Sequence, residues 1–192
     1  MRISRILVGL LFIPIVAHAH GGGLNKEGCH NNRKTGDYHC HRGAKANPQK
    51  QTEPTLTGIP RIIDGDTIRI GNTRIRLHGI DAPEARQTCT ANGKDWRCGQ
   101  EATNALVRIV GEHQVSCSQR DVDRYGRIVA MCRVGAVDLN AWMVGEGWAV
   151  AYRQFSMEYV RDEGEAREAR KGLWRGEFVM PWDWRRRKRN GG

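Results

Sequence analysis

The sequence lacks any hydrophobic run of the ~20 residues that a membrane-spanning helix needs. The longest such run covers residues 6–16, and the 192 residues contain no internal repeat. These absences exclude a polytopic membrane protein and a collagen-like chain. Hydrophobic residues make up 39% of the chain, which excludes a wholly disordered protein. The length fits one compact domain with appendages.

Acidic residues are too few to balance the basic ones. The chain has 31 Lys and Arg against 21 Asp and Glu, a formal net charge of +10 with histidine neutral. Such a charge favours polyanionic partners, among which nucleic acid, anionic lipid and acidic polysaccharide all qualify. Charge alone does not choose among them.

The N-terminus has the pattern of a secretory signal peptide. Two arginines precede the apolar run, and small residues then stand at the −3 and −1 positions of a cleavage site after Ala19. We expect residues 1–19 to be removed and the product to be periplasmic or secreted, without stable membrane insertion. The alternative is a short N-terminal anchor.

The six cysteines are even in number, and none forms a C-x-x-C pair. In an oxidising compartment we expect disulfides, and pairing in sequence order is the simplest of the possible connectivities. Zinc ligation is the alternative, but the cysteines have no recognisable zinc spacing. The expected pairs are Cys29 with Cys40, Cys89 with Cys98, and Cys117 with Cys132.

Composition divides the remaining chain into four parts. Residues 20–41 are rich in Gly, His and Cys, residues 42–57 have a linker composition, residues 58–184 have the pattern of a folded domain, and residues 185–192 form a basic tail. For residues 20–41, a small disulfide knot and a transition-metal site are both open. For the tail, phosphate binding and a solvated end are both open.

Periodicity in the folded part predicts three strands, a helix, two antiparallel strands and two further helices. Asp138 and Ser156 are expected to cap the last two helices. This order predicts an α+β fold, a small barrel with helices on its outside. The predicted strands cover residues 59–63, 67–70, 73–80, 115–118 and 128–134, and the helices cover residues 100–110, 139–144 and 157–171.

Three segments of this domain carry chemically useful residues. In residues 64–67 (D-G-D-T), strand alternation puts Asp66 on the buried face, where a carboxylate is costly unless it is paired or binds a cation. Alone this segment is also a common turn. Residues 76–84 end a strand in two acids around a proline, and Asp81 with Asp66 predicts a calcium site. Residues 123–127 put two arginines at a hairpin tip. Carboxylates, a spare Glu and arginine forks are what phosphodiester hydrolysis needs.

The order D-G-D-T, R-L-x-G-I-D-A-P-E, D-R-Y-G-R and G-L-W resembles the thermonuclease family, whose archetype is staphylococcal nuclease. The resemblance covers residues 58–174. It implies a five-stranded OB-fold barrel with three helices and calcium-dependent hydrolysis of DNA and RNA, preferably single-stranded or denatured. Cleavage at the 5′ P–O bond would leave 3′-phosphates. We expect a monomer. Residues 20–41 resemble a Gly/His segment (Y-H-x-H type) of exported bacterial proteins.

The resemblance also implies a role for each matching residue. Asp66 and Asp81 would bind Ca²⁺ by their carboxylates, with Asp64 in the outer shell. The family often has Thr where this chain has Ala82, but that residue would contribute only its backbone carbonyl, so the change is tolerated. Glu84 would act as general base or orient the attacking water.

The remaining positions would contact the nucleic acid. Arg76 and Arg127 would bind the scissile phosphate and stabilise its developing charge. Arg124 and Tyr125 would lie near the terminal phosphate of the nucleotide, and Tyr152 would supply a base-stacking surface.

A second class of function competes with catalysis. A nucleic-acid-binding module could keep the barrel without the reaction, and residues 20–41 could act alone as a metal-binding module. A binding module has no need of the full set of charged residues at the site, so their joint presence favours catalysis. These residues are Asp66, Arg76, Asp81, Glu84 and Arg127.

Overall fold

The computed structural model describes the backbone of residues 29–31 and 38–40 and all of residues 55–191. The chain divides into two compact units, residues 1–51 and 52–192. In the first unit, strands β1 (Cys29–Asn31) and β2 (Tyr38–Cys40) pair antiparallel with Cys29 opposite Cys40.

Several predictions fall on residues outside this description. The predicted signal peptide and most of the predicted linker lie there, and so do the side chains of Cys29 and Cys40. The pairing of these two cysteines therefore stays a prediction. Among the residues that are described, no helix has both the length and the apolar character needed to cross a membrane.

The second unit combines strands and helices. Its strands are β3 (Thr55–Gly58), β4 (Arg61–Asp64), β5 (Thr67–Ile70), β6 (Thr73–Leu77), β7 (Ile80–Asp81), β8 (Cys89–Ala91), β9 (Lys94–Trp96), β10 (Val115–Val122), β11 (Ile128–Val134), β12 (Val137–Asp138) and β13 (Val150–Ala151). Its helices are α1 (Cys98–Val110), α2 (Leu139–Gly145), α3 (Val160–Glu168), a 3₁₀ turn (Gly172–Arg175) and α4 (Pro181–Asn190).

The main sheet closes on itself through one bent strand. Its order is β3-β10-β11-β6-β5-β4, and only β11 and β6 run parallel. Strands β3 and β4 lie at opposite ends of this order, yet only Ile59 and Pro60 separate them in sequence. Proline has no N–H for the ladder, so the chain changes partner there. Gly58 permits close packing of the chain against Ile70 before this change, since a Cβ on it would lie 2.6 Å from Cγ2 of that residue.

The predicted α+β OB-fold barrel is confirmed, but its element count needs correction. The five-stranded prediction holds for the barrel if β3 and β4 count as one strand, while β12 brings the sheet to seven. The predicted third strand, residues 73–80, is split into β6 and β7 by a turn at Gly79, whose φ is +72°. The last predicted helix is shorter, Val160–Glu168, and the prediction that Ser156 caps it is wrong. Tyr159 stands at the N-cap without a side-chain cap, because Ser156 accepts the N–H of Glu158 in a turn before the helix (3.1 Å).

The prediction of three helices is wrong, because helix α4 is a fourth within the described residues. It begins at Pro181 and runs to Asn190, through most of the predicted basic tail. Proline at the first helical position, Asp183 in the first turn and basic residues in the last turn are all favourable for a helix. The run of basic residues at 185–189 led to the prediction of a tail in place of a helix.

Two apolar clusters hold the unit together. The larger fills the barrel, for example with Ile68, Ile75 and Leu77, and helix α1 covers it with the buried stripe that its periodicity predicted. The smaller cluster packs the segment before α4 against the β8–β9 hairpin. Its buried members are Cys89, Cys98, Val150 and Leu173, with Trp96, Trp174, Phe178, Met180 and Trp182 packed around them.

Two predicted disulfides are confirmed. Cys89 and Cys98 are bonded with their Cα atoms 5.7 Å apart, and Cys117 and Cys132 with theirs 4.1 Å apart. The second bond joins facing positions of β10 and β11.

Removing the hairpin crosslink is expected to destabilise the domain. The double substitution Cys117→Ser with Cys132→Ser opens a loop with a sequence separation of 15. The loss in the free energy of unfolding should be about 3 kcal/mol in the chain-entropy account. Urea unfolding measures it, with Ser118→Ala on the same strand as control. An unchanged midpoint would contradict the expectation.

Candidate active site

A cleft with a volume of about 1480 Å³ lies against the barrel between the loop after β7, the β10–β11 hairpin tip and helix α4. It collects the predicted site residues from separate parts of the chain. Asp81 lies beneath its floor with no exposed surface. The other predicted residues line it: Asp64, Asp66, Arg76, Ala82, Glu84, Arg124, Tyr125, Arg127 and Tyr152.

Two buried carboxylates share one guanidinium at the centre of the cleft. Nη1 of Arg76 donates to Oδ1 of Asp66 at 3.1 Å, and its Nη2 donates to Oδ1 of Asp81 at 2.7 Å. Asp66 is 4% exposed and Asp81 0%. Buried charges of this kind are tolerated when they are paired and hydrogen-bonded. Arg76 therefore acts as the counter-ion of both.

The strand register explains why these residues meet. Strands β5 and β6 pair with Thr67 opposite Arg76, which brings Arg76 beside Asp66. Oδ2 of Asp66 accepts the N–H of Ala82 at 3.0 Å, and its Oδ1 accepts the hydroxyl of Thr67 at 3.0 Å. The first two sequence motifs are thus joined by hydrogen bonds.

Arg185 is a site residue that sequence reasoning missed. Its Nη1 donates to Oδ1 of Asp81 at 3.0 Å and to Oε1 of Glu84 at 2.9 Å, and its Nη2 donates to Oδ2 of Asp81 at 2.7 Å. The residue had been assigned to the basic tail. The helix-start signals at Pro181 could have removed it from the tail, but nothing in the sequence pairs it with Asp81.

Burial is the main cause of the raised pKa values of the aspartates in this cluster. Burial, together with the charge of Asp66, raises the pKa of Asp64 to about 7. Burial also raises the pKa of Asp81, despite the hydrogen bond from Arg185. Burial lowers the pKa of Arg185, but its bonds to Asp81 and Glu84 outweigh this and raise it above its usual value. An added positive charge would stabilise this site.

The loop that carries Glu84 is fastened on two sides. The buried side chain of Gln87 accepts the N–H of Glu84 through Oε1 at 3.3 Å and donates from Nε2 to the carbonyl of Val179 at 2.6 Å. On the other side, helix α1 begins so close that a Cβ on Gly99 would lie 1.8 Å from the Glu84 carbonyl oxygen. Gln87 thereby links the Glu84 loop to the segment leading into α4.

Asp123 orients the arginine of the hairpin tip. Its Oδ1 accepts the N–H groups of Tyr125 at 2.9 Å and Arg127 at 3.0 Å, and its Oδ2 accepts Nε of Arg127 at 2.7 Å. The guanidinium groups of Arg124 and Arg127 lie 4.8 and 5.6 Å from the centre of the Tyr125 ring. Among the described residues, no hydrogen bond joins this group directly to the carboxylate cluster. The hairpin-tip group and the carboxylate cluster both line the same cleft.

Tyr152 stands in an aromatic group at one end of the cleft. Its ring is nearly parallel to that of Trp182, at 9° with centroids 5.3 Å apart, and contacts Phe155 edge-on at 4.7 Å. Trp182 belongs to α4, a helix that the sequence analysis did not predict, so its stacking on Tyr152 was not predicted either.

Comparison with known proteins identifies the family. A model described as "Staphylococcal nuclease homologue" matches residues 74–176. The chain belongs to this family. The match includes Arg76, Glu84 and Arg127, while Asp66 lies before it and Arg185 after it.

Relatives of this staphylococcal nuclease homologue include three bacterial proteins. The "Succinoglycan biosynthesis protein ExoI" of Rhizobium meliloti (strain 1021) is 36% identical over 129 residues, 65% of this chain and 67% of that protein. "Protein ParB" of Escherichia coli is 38% identical over 150 residues, 69% and 80% of the two chains. "Micrococcal nuclease" of Shigella flexneri is 33% identical over 150 residues, 69% and 81% of the two. The chain is thus a nuclease-type hydrolase.

The carboxylate of Asp123 should stabilise this nuclease in a pH-dependent way. Burial acts to raise its pKa, but the hydrogen bonds from Arg127 and Tyr125 prevail and lower it below 3.8. Its stabilising contribution is therefore present above pH 3.8 and is lost as the pH falls through the lowered value.

Asp123→Asn is accordingly expected to lower the free energy of unfolding near pH ~6, with the difference from the parent protein shrinking toward pH ~3. Urea unfolding across this range measures it. Asp121→Asn on the same hairpin is the control, since Arg127 donates to Asp123 and not to Asp121. A difference that grows on acidification would refute the assignment.

Proposed function

We propose that this protein is an exported, calcium-dependent nuclease that cleaves DNA and RNA, preferably single-stranded, at the 5′ P–O bond to leave 3′-phosphates. The observation that carries the proposal is the pair of buried carboxylates, Asp66 and Asp81, tied by Arg76 beside Glu84 in an open cleft. Family membership supplies the reaction class, and the site residues supply the finer chemistry.

The donors available to a cation are oxygens, which suits Ca²⁺. They would be the carboxylates of Asp66 and Asp81 and the backbone carbonyl of Ala82, with Asp64 in the outer shell. In the described part of the chain, no three His, Cys, Asp or Glu side chains form a ready metal cluster, so water or substrate would complete the set. The raised pKa values of Asp64 and Asp81 support a site that gains from positive charge. When bound, the cation would offset phosphate charge as a Lewis acid.

Glu84 is the residue to act on the attacking water. Its side chain is 35% exposed and lines the cleft, so it can reach solvent there. We assign it to take the proton of that water or to orient it toward phosphorus.

Two arginines are assigned to the phosphate. Among the described residues, Arg127 donates its backbone N–H and its Nε to Asp123, which leaves both Nη groups for phosphate oxygens. Arg76 lies at the cation ligands and would contact the phosphate from the opposite wall. Such forks stabilise the charge that develops in the transition state. Arg124 and Tyr125 would hold the terminal phosphate, and Tyr152 a base.

The two disulfides support an oxidising compartment, periplasmic or extracellular, in which such bonds persist. Mass spectrometry of the exported protein tests the expected cleavage after Ala19. We expect the protein to act as a monomer, which sedimentation tests.

The reaction is tested by cleavage of heat-denatured DNA with Ca²⁺. Arg76→Ala and Arg127→Ala are each expected to lower kcat by about 10²–10³, the effect typical of a lost transition-state donor. Arg108→Ala, an exposed arginine on helix α1, is the matched control. Chelation should stop cleavage, and the products should end in 3′-phosphates.

Thermal unfolding of each variant separates lost chemistry from lost fold, which matters most for Arg76, because it pairs with two buried carboxylates. Cleavage that survives both chelation and substitution would mean that the site is elsewhere. Binding that persists without any cleavage would return the non-catalytic reading.

Arg185 and a cation are expected to compete for Asp81. The guanidinium occupies both oxygens of that carboxylate, and two positive groups at one carboxylate repel each other. Arg185→Gln should therefore bind Ca²⁺ roughly fivefold more tightly, which corresponds to an ion pair of about 1 kcal/mol. Calorimetry without nucleic acid measures the affinity, and Arg186→Gln is the neighbouring control. Weaker binding would show that Arg185 supports the cation site instead.

A further inference from the structure

Helix α4 presents one side to the active-site cleft. Trp182, Arg185 and Arg189 follow each other at spacings of three and four residues, which places them on one helix face. All three line the cleft. The helix begins at Pro181, after the last residue that the family model matches. This wall of the cleft therefore lies outside the part of the chain that the family model matches.

A second depression continues from the cleft across this helix. Its volume is about 390 Å³, and Tyr152, Trp182 and Arg189 line it as well as the cleft. Arg153 and Arg186 complete its basic lining. The rings of Tyr152 and Trp182 thus lie between the active-site cleft and this second, basic depression.

The aromatic pair at the crossing is suited to a nucleobase. Trp182 and Tyr152 lie nearly parallel, and the edge of the group is formed by Phe155, which is 64% exposed. Every base has a π-face, so aromatic platforms bind single strands with little regard for sequence. Bases inside a duplex are stacked on each other and cannot use such a platform.

Of the three arginines that line the second depression, Arg189 is the one whose guanidinium can bind an anion. Arg186 is paired with Asp183 at 2.9 Å, and Arg153 is paired with Glu163. Arg189 is exposed and forms no ion pair with any residue that the structure describes. A base on the platform would bring its neighbouring phosphate to this side of the helix.

We propose that helix α4 extends the base site at Tyr152 into a longer substrate subsite, in which Trp182 joins Tyr152 in stacking a base and Arg189 contacts a backbone phosphate of single-stranded nucleic acid. The proposal rests on the proposed function, because the strand is the one whose scissile phosphate lies at Arg76 and Arg127. The subsite lengthens the recognised segment and favours long single strands over dinucleotides.

The first test is the dependence of kcat/KM on substrate length. The full chain with Ca²⁺ is assayed on single-stranded DNA oligonucleotides from a dinucleotide to a decanucleotide. The increase in kcat/KM from the shortest to the longest oligonucleotide should be roughly fivefold smaller in Arg189→Ala, as expected for one lost phosphate contact of about 1 kcal/mol. Arg187→Ala removes the same charge from an exposed position that lines neither depression, so it should keep the gain.

The second test is binding of a labelled decanucleotide in chelator, where cleavage plays no part. The slope of log affinity against log salt should become shallower by ~0.7 in Arg189→Ala relative to Arg187→Ala, the value for one single-strand phosphate. Trp182→Ala should weaken binding with the slope kept. Thermal unfolding of that variant is needed, because Trp182 also packs in the smaller apolar cluster.

The outcomes separate this proposal from the proposed function. Equal effects of Arg189→Ala and Arg187→Ala in both tests would overturn the subsite, while normal cleavage leaves the function standing. A selective change in slope without cleavage of any oligonucleotide would keep the subsite and overturn the function. Anionic vesicle binding that depends on Arg189, with oligonucleotide binding unchanged, would also overturn the subsite and assign this face to lipid.

Discussion

The guanidinium of Arg76 holds two carboxylates that have almost no contact with water, and the geometry of the site depends on this interaction. Asp66 lies in the turn before β5 and Asp81 lies in β7, and Arg76 is the counter-ion that these two buried carboxylates share. Their pairing requires β5, β6 and β7 in their observed register, because a shift of one residue would turn each side chain to the opposite face. The barrel supplies that register, and its core of aliphatic residues keeps it.

Helix α4, the segment before it and the β8–β9 hairpin together support the cluster of Asp66, Asp81 and Arg76. Thr90 and Glu177 exchange backbone hydrogen bonds of 2.9 and 2.7 Å, and Gln87 reaches the carbonyl of Val179. The smaller apolar cluster, which contains the Cys89–Cys98 bond, packs around this contact. These contacts position Arg185 beside Asp81. Within the described residues, the site is therefore built from residues inside the stretch that the family model matches and from residues on either side of it.

The two arginines assigned to phosphate differ in how they are held. Both terminal amino groups of Arg76 donate to buried carboxylates, whereas Arg127 is oriented through Nε and keeps its terminal amino groups open to the cleft. A fixed but unsatisfied fork is a preorganised binder of a phosphate, and it costs little reorganisation when the substrate arrives. The hairpin carrying it is fastened by the Cys117–Cys132 bond. The ion pair with Asp123 and the Cys117–Cys132 bond together set the direction of the Arg127 side chain.

Local sequence determined those features whose physical cause lies within a few residues. Alternation put Asp66 on the inner face, and Asp138 caps α2 by accepting the N–H of Ala141 at 3.0 Å, as predicted. The order of the charged motifs identified the family. Tertiary structure alone decided that Arg185 meets Asp81 across 104 positions, and that Trp182 stacks on Tyr152. Such contacts arise from packing between distant segments, so composition could describe the last residues only as a basic run. The same long-range packing turned that run into a wall of the active-site cleft.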